Sequence, residues 1–229
     1  MALYCKYLTR PPKGETKKYI FIDEAQDLSV SEIELIYKMN NAKERPILNM
    51  FGDTNQTITT HGITDWGEVK FIPTVHVLEE NFRNTNQIID YCNEKLEVVM
   101  KKVGVDMEEV SEFENIQEAL KTGKGILTNS VFIVKDDYLK LDLVNLLNEN
   151  GVASYEIYTV KESKGLEFKE VFVFDADMSS NEKYISFTRA LVKLNIIKEL
   201  PETRDREKIV IIQGDGEDET LEQQPKGEL

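Results

Sequence analysis

The chain has 229 residues, 41% of them hydrophobic, enough to bury one substantial core or two small ones, which excludes disorder throughout. Its net charge of −14 speaks against a broad basic face of the kind that grips phosphates without regard to sequence. Cys5 and Cys92 give neither a metal-site spacing nor a disulfide framework, and no apolar run is long enough for a signal peptide or a bilayer span. A reduced, cytoplasmic setting with no membrane partner is expected.

In chain order, short apolar β-branched runs alternate with helical patterns, which predicts an α/β fold with parallel sheets flanked by helices. Strands are expected over 19–23, 47–52, 74–79, 130–135, 154–159, 170–175, 194–197 and 209–213, several of them ending in acidic residues. Helices are expected over 31–39, over 84–99 with Ile88, Ile89, Cys92 and Leu96 in helical spacing, and over 138–150 before Gly151. Residues 100–128, charged and weakly patterned, read as a connecting segment or small insertion, and a domain boundary is placed near 77–81. From Gln213 onward six acidic residues face only Lys226, so part of the net charge is local and this tail is expected to be disordered. Any nucleic-acid groove is then a local patch, or its basic half lies on sequence outside these residues.

The segment YIFIDEAQDLS sets four apolar residues directly before Asp23 and Glu24, so a buried strand delivers two adjacent carboxylates to a sheet edge, where ligands of open α/β sheets bind. One carboxylate can hold Mg²⁺ on nucleotide phosphates while its neighbour orients or deprotonates the attacking water. The blander alternative is an acidic pair that begins the next helix.

DEAQD after an apolar strand resembles motif II, the Walker B element, of the UvrD/Rep helicases of superfamily 1. Four further stretches resemble that family's motifs in the family's order: FGDTNQTI (51–58) motif III, LEENFRNTNQII (78–89) motif IV, TVKESKGLEFKEVFV (159–173) motif V and YISFTRALVKL (184–194) motif VI. The Thr-Asp-Trp-Gly-Glu stretch after motif III is similar to the HelD branch. The resemblance implies two RecA-like domains: residues 1–78 the C-terminal part of the first, residues 79–213 a largely complete second, and 214–229 the acidic tail.

The same resemblance assigns roles. It makes Asp23 the Mg²⁺ ligand and Glu24 the residue acting on water, with Gln56 reaching a γ-phosphate or the attacking water. Arg83 and Arg189, supplied from the opposing domain, are implied to approach the γ-phosphate, where a fixed guanidinium charge stabilises the transition state. Glu167 is implied to contact the nucleotide sugar, on a turn shaped by Lys164 and Gly165. Thr159 and the residues after it are implied to link nucleotide and single-stranded DNA. Local alternatives stand beside these roles: Gln56 can cap its own turn, each arginine can serve a surface salt bridge, and Glu167 can be a strand-edge charge.

Two departures from the family pattern touch nucleic-acid binding. The family commonly has His two residues after the motif V threonine, where this chain has Lys161. After motif III the family supplies Tyr and Arg, with an aromatic ring for base stacking; here the residues are Thr59, Thr60, His61 and Gly62, leaving His61 at the stacking position. Trp66 is a possible substitute platform, against the alternative of a half-buried core position.

No Gly-x-x-x-x-Gly-Lys-(Ser/Thr) loop occurs, and the eighteen residues before Tyr19 cannot hold that loop with its strand and helix. Hydrolysis of ATP by this chain alone is therefore not expected. The leading expectation is the C-terminal portion of an ATP- and Mg²⁺-dependent helicase moving on single-stranded or partly duplex DNA. Its phosphate loop would come from a missing N-terminal RecA-like portion. The second is a non-enzymatic helicase-derived module that binds a protein such as RNA polymerase. A metal-dependent nuclease built on Asp23, Glu24 and Asp53 is weaker, because it leaves the arginine and Gly-Leu-Glu-Phe motifs without a purpose.

Overall fold

The computed structural model describes residues 16–41, 45–70, 74–121, 130–152 and 154–199. The expected strand over 209–213, the acidic tail and Cys5 lie outside the described residues. Strand β1 (Tyr19–Ile22) pairs in parallel with β2 (Ile47–Met50), in register from Tyr19↔Ile47 to Ile22↔Met50. Helix α1 (Val30–Asn40) joins them. It starts at a capping box in which Ser29 Oγ accepts from Glu32 N–H and Glu32 accepts from Ser29 N–H. Its buried face is small: Ile33 packs with Ile63 and Val69, flanked by Leu28, Leu48, Met50 and Trp66.

The larger part of the molecule is a five-stranded, all-parallel sheet in the order β5 (Ser111–Phe113), β9 (Ala190–Ile197), β8 (Phe168–Phe174), β6 (Ser130–Val134), β7 (Tyr155–Thr159). Successive strand residues point to opposite faces, and the two faces read directly from the sequence. Phe132, Val134, Phe172 and Phe174 pack beneath α3 (Ile116–Lys121) and α4 (Asp137–Glu149), with Ile116, Ala119, Leu139, Leu143 and Leu147. Ile133, Val171 and Val173 pack on the other face with Ile88 and Cys92 of α2 (Asn86–Leu96) and Ile185 and Phe187 of α6 (Ser180–Thr188). Burial on both faces explains why these strands are continuous apolar runs. A short helix, α5 (Val160–Ser163), follows β7.

Four expectations are corrected. No strand forms over 74–79; pairing begins only at β3 (Glu80–Asn81), which meets β4 (Lys101–Lys102). Val75, Val77 and Leu78 are 51%, 75% and 94% exposed, so an apolar run that resembles a buried strand has no core to enter. Residues 100–121 are more than a connection, because β5 is an edge strand of the main sheet, in register with β9, and α3 buries Ile116 and Ala119. Helix α2 is shorter than expected, since Glu97 turns into the left-handed region at φ 54° and ends it. Strand β9 begins at Ala190 rather than 194, because Phe168 pairs with Ala190 ahead of an irregularity in the ladder. Among the described residues no helix is long and apolar enough to cross a membrane.

Candidate functional site

The carboxyl end of β1 is held to that of β2 by two backbone hydrogen bonds, Phe51 N–H to Ile22 O at 2.8 Å and Ala25 N–H to Phe51 O at 2.9 Å, and by one buried side-chain amide. Asp23 and Glu24 follow β1 and are exposed, Glu24 in the left-handed region at φ 50°. Gln26, fully buried, donates from Nε2 to Glu24 Oε2 at 2.6 Å and accepts from Asp53 N–H at 3.2 Å, so it fixes the Glu24 carboxylate relative to the loop after β2. Gly52 is required there: a Cβ would lie 2.2 Å from Gln26 Oε1. The loop then folds into a 3₁₀ turn (Thr54–Gln56) started by Asp53, whose Oδ1 accepts from Asn55 N–H. Gln56 Nε2 donates to Asp53 Oδ2 at 3.2 Å.

Facing this edge is the five-stranded part. Asn81 Oδ1 accepts from the N–H groups of Arg83 and Asn84, folding the Asn-Phe-Arg-Asn turn, and buried Asn84 donates to Thr188 O at 3.1 Å and Ala190 O at 2.7 Å. Motif IV is thereby fastened to motif VI. Arg83 Nε meets Glu167 Oε1 at 2.6 Å, with both side chains about half exposed. Glu167 follows a turn in which Gly165 takes φ +81°, a conformation that costs a Cβ-bearing residue energy.

A cleft of about 630 Å³ lies between the two parts, walled by Asp53 and Gln56 on one side and by Asn81, Arg83, Glu167 and Tyr184 on the other. Three of the residues singled out from sequence, Gln56, Arg83 and Glu167, thus line one cavity. Arg189 lies behind its wall. It is 2% exposed, and its guanidinium donates to Ile185 O at 3.0 Å, Leu166 O at 3.2 Å and Thr188 Oγ1 at 3.2 Å. Burial pulls the guanidinium pKa down, as does Arg83, while Glu167 and Glu24 draw it up, so carboxylates from both parts act on this cation.

The residues singled out for nucleic acid are not brought together in the cleft. Thr159 is buried, and its hydroxyl accepts from Glu162 N–H as the cap of α5. Lys161 is exposed on the first turn of that helix and His61 on the turn after motif III. Trp66 packs against the Ile33, Ile63 and Val69 cluster, which is the core position weighed against a stacking role.

Several connecting residues escaped sequence reasoning. Lys164, expected only to shape a turn, donates to both Asp27 oxygens at 2.7 and 2.6 Å and so bridges motif V to motif II. Asn181 of α6 donates to Thr57 O at 2.7 Å, a second bridge. Gln26, Asp27 and Lys164 sit inside the motifs, so their presence was visible but their partners were not. Asn181 had no signal beyond its place in a helix start.

The sequence model of the viral superfamily 1 RNA helicase core domain matches residues 2–198. Among solved structures, the PRRSV helicase superposes with a TM-score of 0.51 at 14% identity, over 81% of this chain and 35% of that one. An arterivirus nonstructural protein 10, a helicase, gives 0.52 at 15% identity, over 82% and 40% of the two chains. The complex of that arterivirus helicase with DNA gives 0.50 at 14% identity, over 82% and 41%. At such identities the likeness shows the fold, a helicase RecA-like α/β architecture, and this chain spans well under half the length of those proteins. No curated protein matches the chain in sequence. With most of its length matched by one family model, the chain belongs to the viral superfamily 1 RNA helicase core family.

Proposed function

We propose that the cleft receives the triphosphate of ATP with Mg²⁺ and that the chain is the C-terminal part of a motor that moves on nucleic acid. The observation that carries this reading is the cleft itself, where Asp53 and Gln56 from the β1–β2 part oppose Arg83 and Glu167 from the five-stranded part. In such a site Asp23 would hold Mg²⁺, Glu24 would act on water, Gln56 would orient that water or the γ-phosphate, and Arg83 would neutralise developing charge. Glu167 would take the sugar once Arg83 is drawn to phosphate. Arg189, satisfied by protein carbonyls in this conformation, would reach the phosphates only after a local rearrangement of the end of α6. The division near 78–79, with residues before it belonging to the first RecA-like domain and those after it to the second, follows from the same reading.

The five ordered motifs favour a UvrD/Rep-type mechanism within superfamily 1, and single-stranded or partly duplex DNA as the track. The phosphate loop is to be supplied by sequence outside these residues. In a protein that joins the two, Glu24→Gln or Arg83→Ala should lower nucleic-acid-stimulated ATP turnover by about a hundredfold or more. Retained turnover would defeat the role assignments. The net charge of −14 favours a second reading, a module that docks a protein such as RNA polymerase. Polymerase capture without nucleic-acid-stimulated ATPase in the joined protein would select it.

A further inference from the structure

Lys164 ends α5, and the turn behind it closes through Leu166 N–H to Ser163 O at 3.0 Å. Its ammonium reaches out of the five-stranded part and donates to Asp27 Oδ1 at 2.7 Å and Oδ2 at 2.6 Å. The two side chains are 13% and 32% exposed, so water and salt screen this pair less than one on the open surface. Asp27 is the last residue of the 3₁₀ turn Ala25–Asp27, and its own N–H donates to Glu24 O at 3.0 Å. Glu24 stands ahead of that turn with φ 50° and ψ 38°, a left-handed backbone that a residue with a Cβ keeps only where its surroundings hold it. Between the two sits Gln26, whose buried amide donates to Glu24 Oε2 at 2.6 Å and whose backbone oxygen accepts from Ile63 N–H at 2.8 Å.

We propose that Lys164 is a positioning residue for Glu24: by holding Asp27 from the opposite part of the molecule, it fixes the turn that sets the left-handed Glu24 backbone and aims the Glu24 carboxylate. Each link is a hydrogen bond, from Lys164 Nζ to the Asp27 carboxylate, from Asp27 N–H to Glu24 O, and from Gln26 Nε2 to Glu24 Oε2. Gln26 is fastened within the β1–β2 part by Asp53 N–H and Ile63 N–H, so its hold on the turn does not depend on how the two parts stand. Asp27 is the residue of the turn that the five-stranded part grips. A displacement of α5 therefore bears first on Asp27 and next on Glu24, whereas the Asn181 bond bears on Thr57 and leaves that turn alone. The consequence for water activation by Glu24 rests on the nucleotide reading of the cleft, whereas the positioning itself does not.

The test uses the 229-residue chain carrying ¹³C in its glutamate side chains, with the Glu24 carboxyl carbon identified by its loss in Glu24→Gln. Lys164→Met keeps most of the side-chain length and removes the ammonium. The expected result is that the Glu24 carbon moves toward the position of a free glutamate while the methyl signals of Ile33, Ile63, Val173 and Ile185 stay in place. Asn181→Ala, which cuts the other tie between the two parts, should leave the Glu24 carbon where it is. An unmoved Glu24 carbon in Lys164→Met overturns the proposal, and so does an equal displacement in Asn181→Ala, which would mean a general loosening of the two parts. Should Lys164→Met lose the dispersed methyl signals of Ile33 and Ile63, Asp27→Asn gives a milder route, because it keeps an oxygen for Lys164 and removes the charge. The Glu24 carbon must again move, and an unmoved one overturns the proposal. A displaced Glu24 carbon in a chain whose signals ignore Mg²⁺ and a non-hydrolysable ATP analogue upholds the positioning and removes the nucleotide reading instead.

Discussion

The five-stranded part and the β1–β2 part answer the same problem, burying a parallel sheet, with unequal means. The former covers both faces with helices and buries two apolar clusters that run the length of β6, β8 and β9. Among its described residues the latter gathers just Ile33, Ile63 and Val69 into a buried apolar cluster, and leaves Tyr19 and Phe21 of β1 at 60% and 68% exposure. A parallel sheet exposed on a face is unusual for a self-sufficient unit. The β1–β2 part is instead tied to its larger neighbour by Lys164–Asp27 and by Asn181–Thr57. Thr57 directly follows the cleft residue Gln56, so one of these ties holds the weaker half beside the site.

The largest break in this comparison should come from the strong half. Phe132→Ala empties a position walled by Phe172 and Phe174 and should cost about 3–5 kcal/mol, lowering the midpoint of the main thermal transition. If the two halves differ as described, Ile33→Ala should leave that transition nearly in place and instead speed hydrogen exchange in β1 and β2. Next, Gly52→Ala must push Gln26 aside and should cost about 1–3 kcal/mol, confined by hydrogen exchange to residues near the ends of β1 and β2. Lys164→Met removes one partner of a pair that is 13% and 32% exposed; a loss of about 1–2 kcal/mol is expected, read as faster exchange in β1 and β2 with β6 and β8 unchanged. Equal slowing or speeding in both sheets would show that the halves unfold as one.

The smallest effect is a pH dependence in the strong half. Glu112 on β5 is held below the ordinary carboxylate range, first by Lys198 and then by the Tyr91 hydroxyl. A depressed carboxylate contributes stability that is present above its unfolded pKa and lost as pH falls through the folded one. Glu112→Gln should therefore lower stability slightly at pH 7 and flatten its decline below about pH 4.5, so that the two proteins converge in acid.

The strong half was also the more legible. Continuous apolar runs such as Val131–Val134 and Val171–Phe174, short and rich in β-branched and aromatic residues, suit a sheet buried on both faces, so strand and helix order around them followed from pattern. Legibility failed where tertiary context decides. The Val75–Leu78 stretch has strand-like residues but pairs with no strand among the described residues, and Ser111–Phe113 forms a strand where β9 offers it an edge. At the site, the motifs pointed to Gln56, Arg83 and Glu167, which share the cleft. They could not show that Arg189 is satisfied by carbonyls behind the wall, since that depends on how the end of α6 meets the turn at Leu166. Nor could spacing pair Lys164 with Asp27, because ion pairs between distant segments leave no periodicity.

The central claim is that groups from both halves converge on a single triphosphate. Titrating the labelled chain with Mg²⁺ and a non-hydrolysable ATP analogue, followed by backbone amide shifts, tests it most directly. Shifts at Asp53 and Gln56 together with Arg83, Glu167 and the end of α6, saturating along one binding curve, are the predicted result. Shifts confined to one half, or saturating separately in the two, would contradict it.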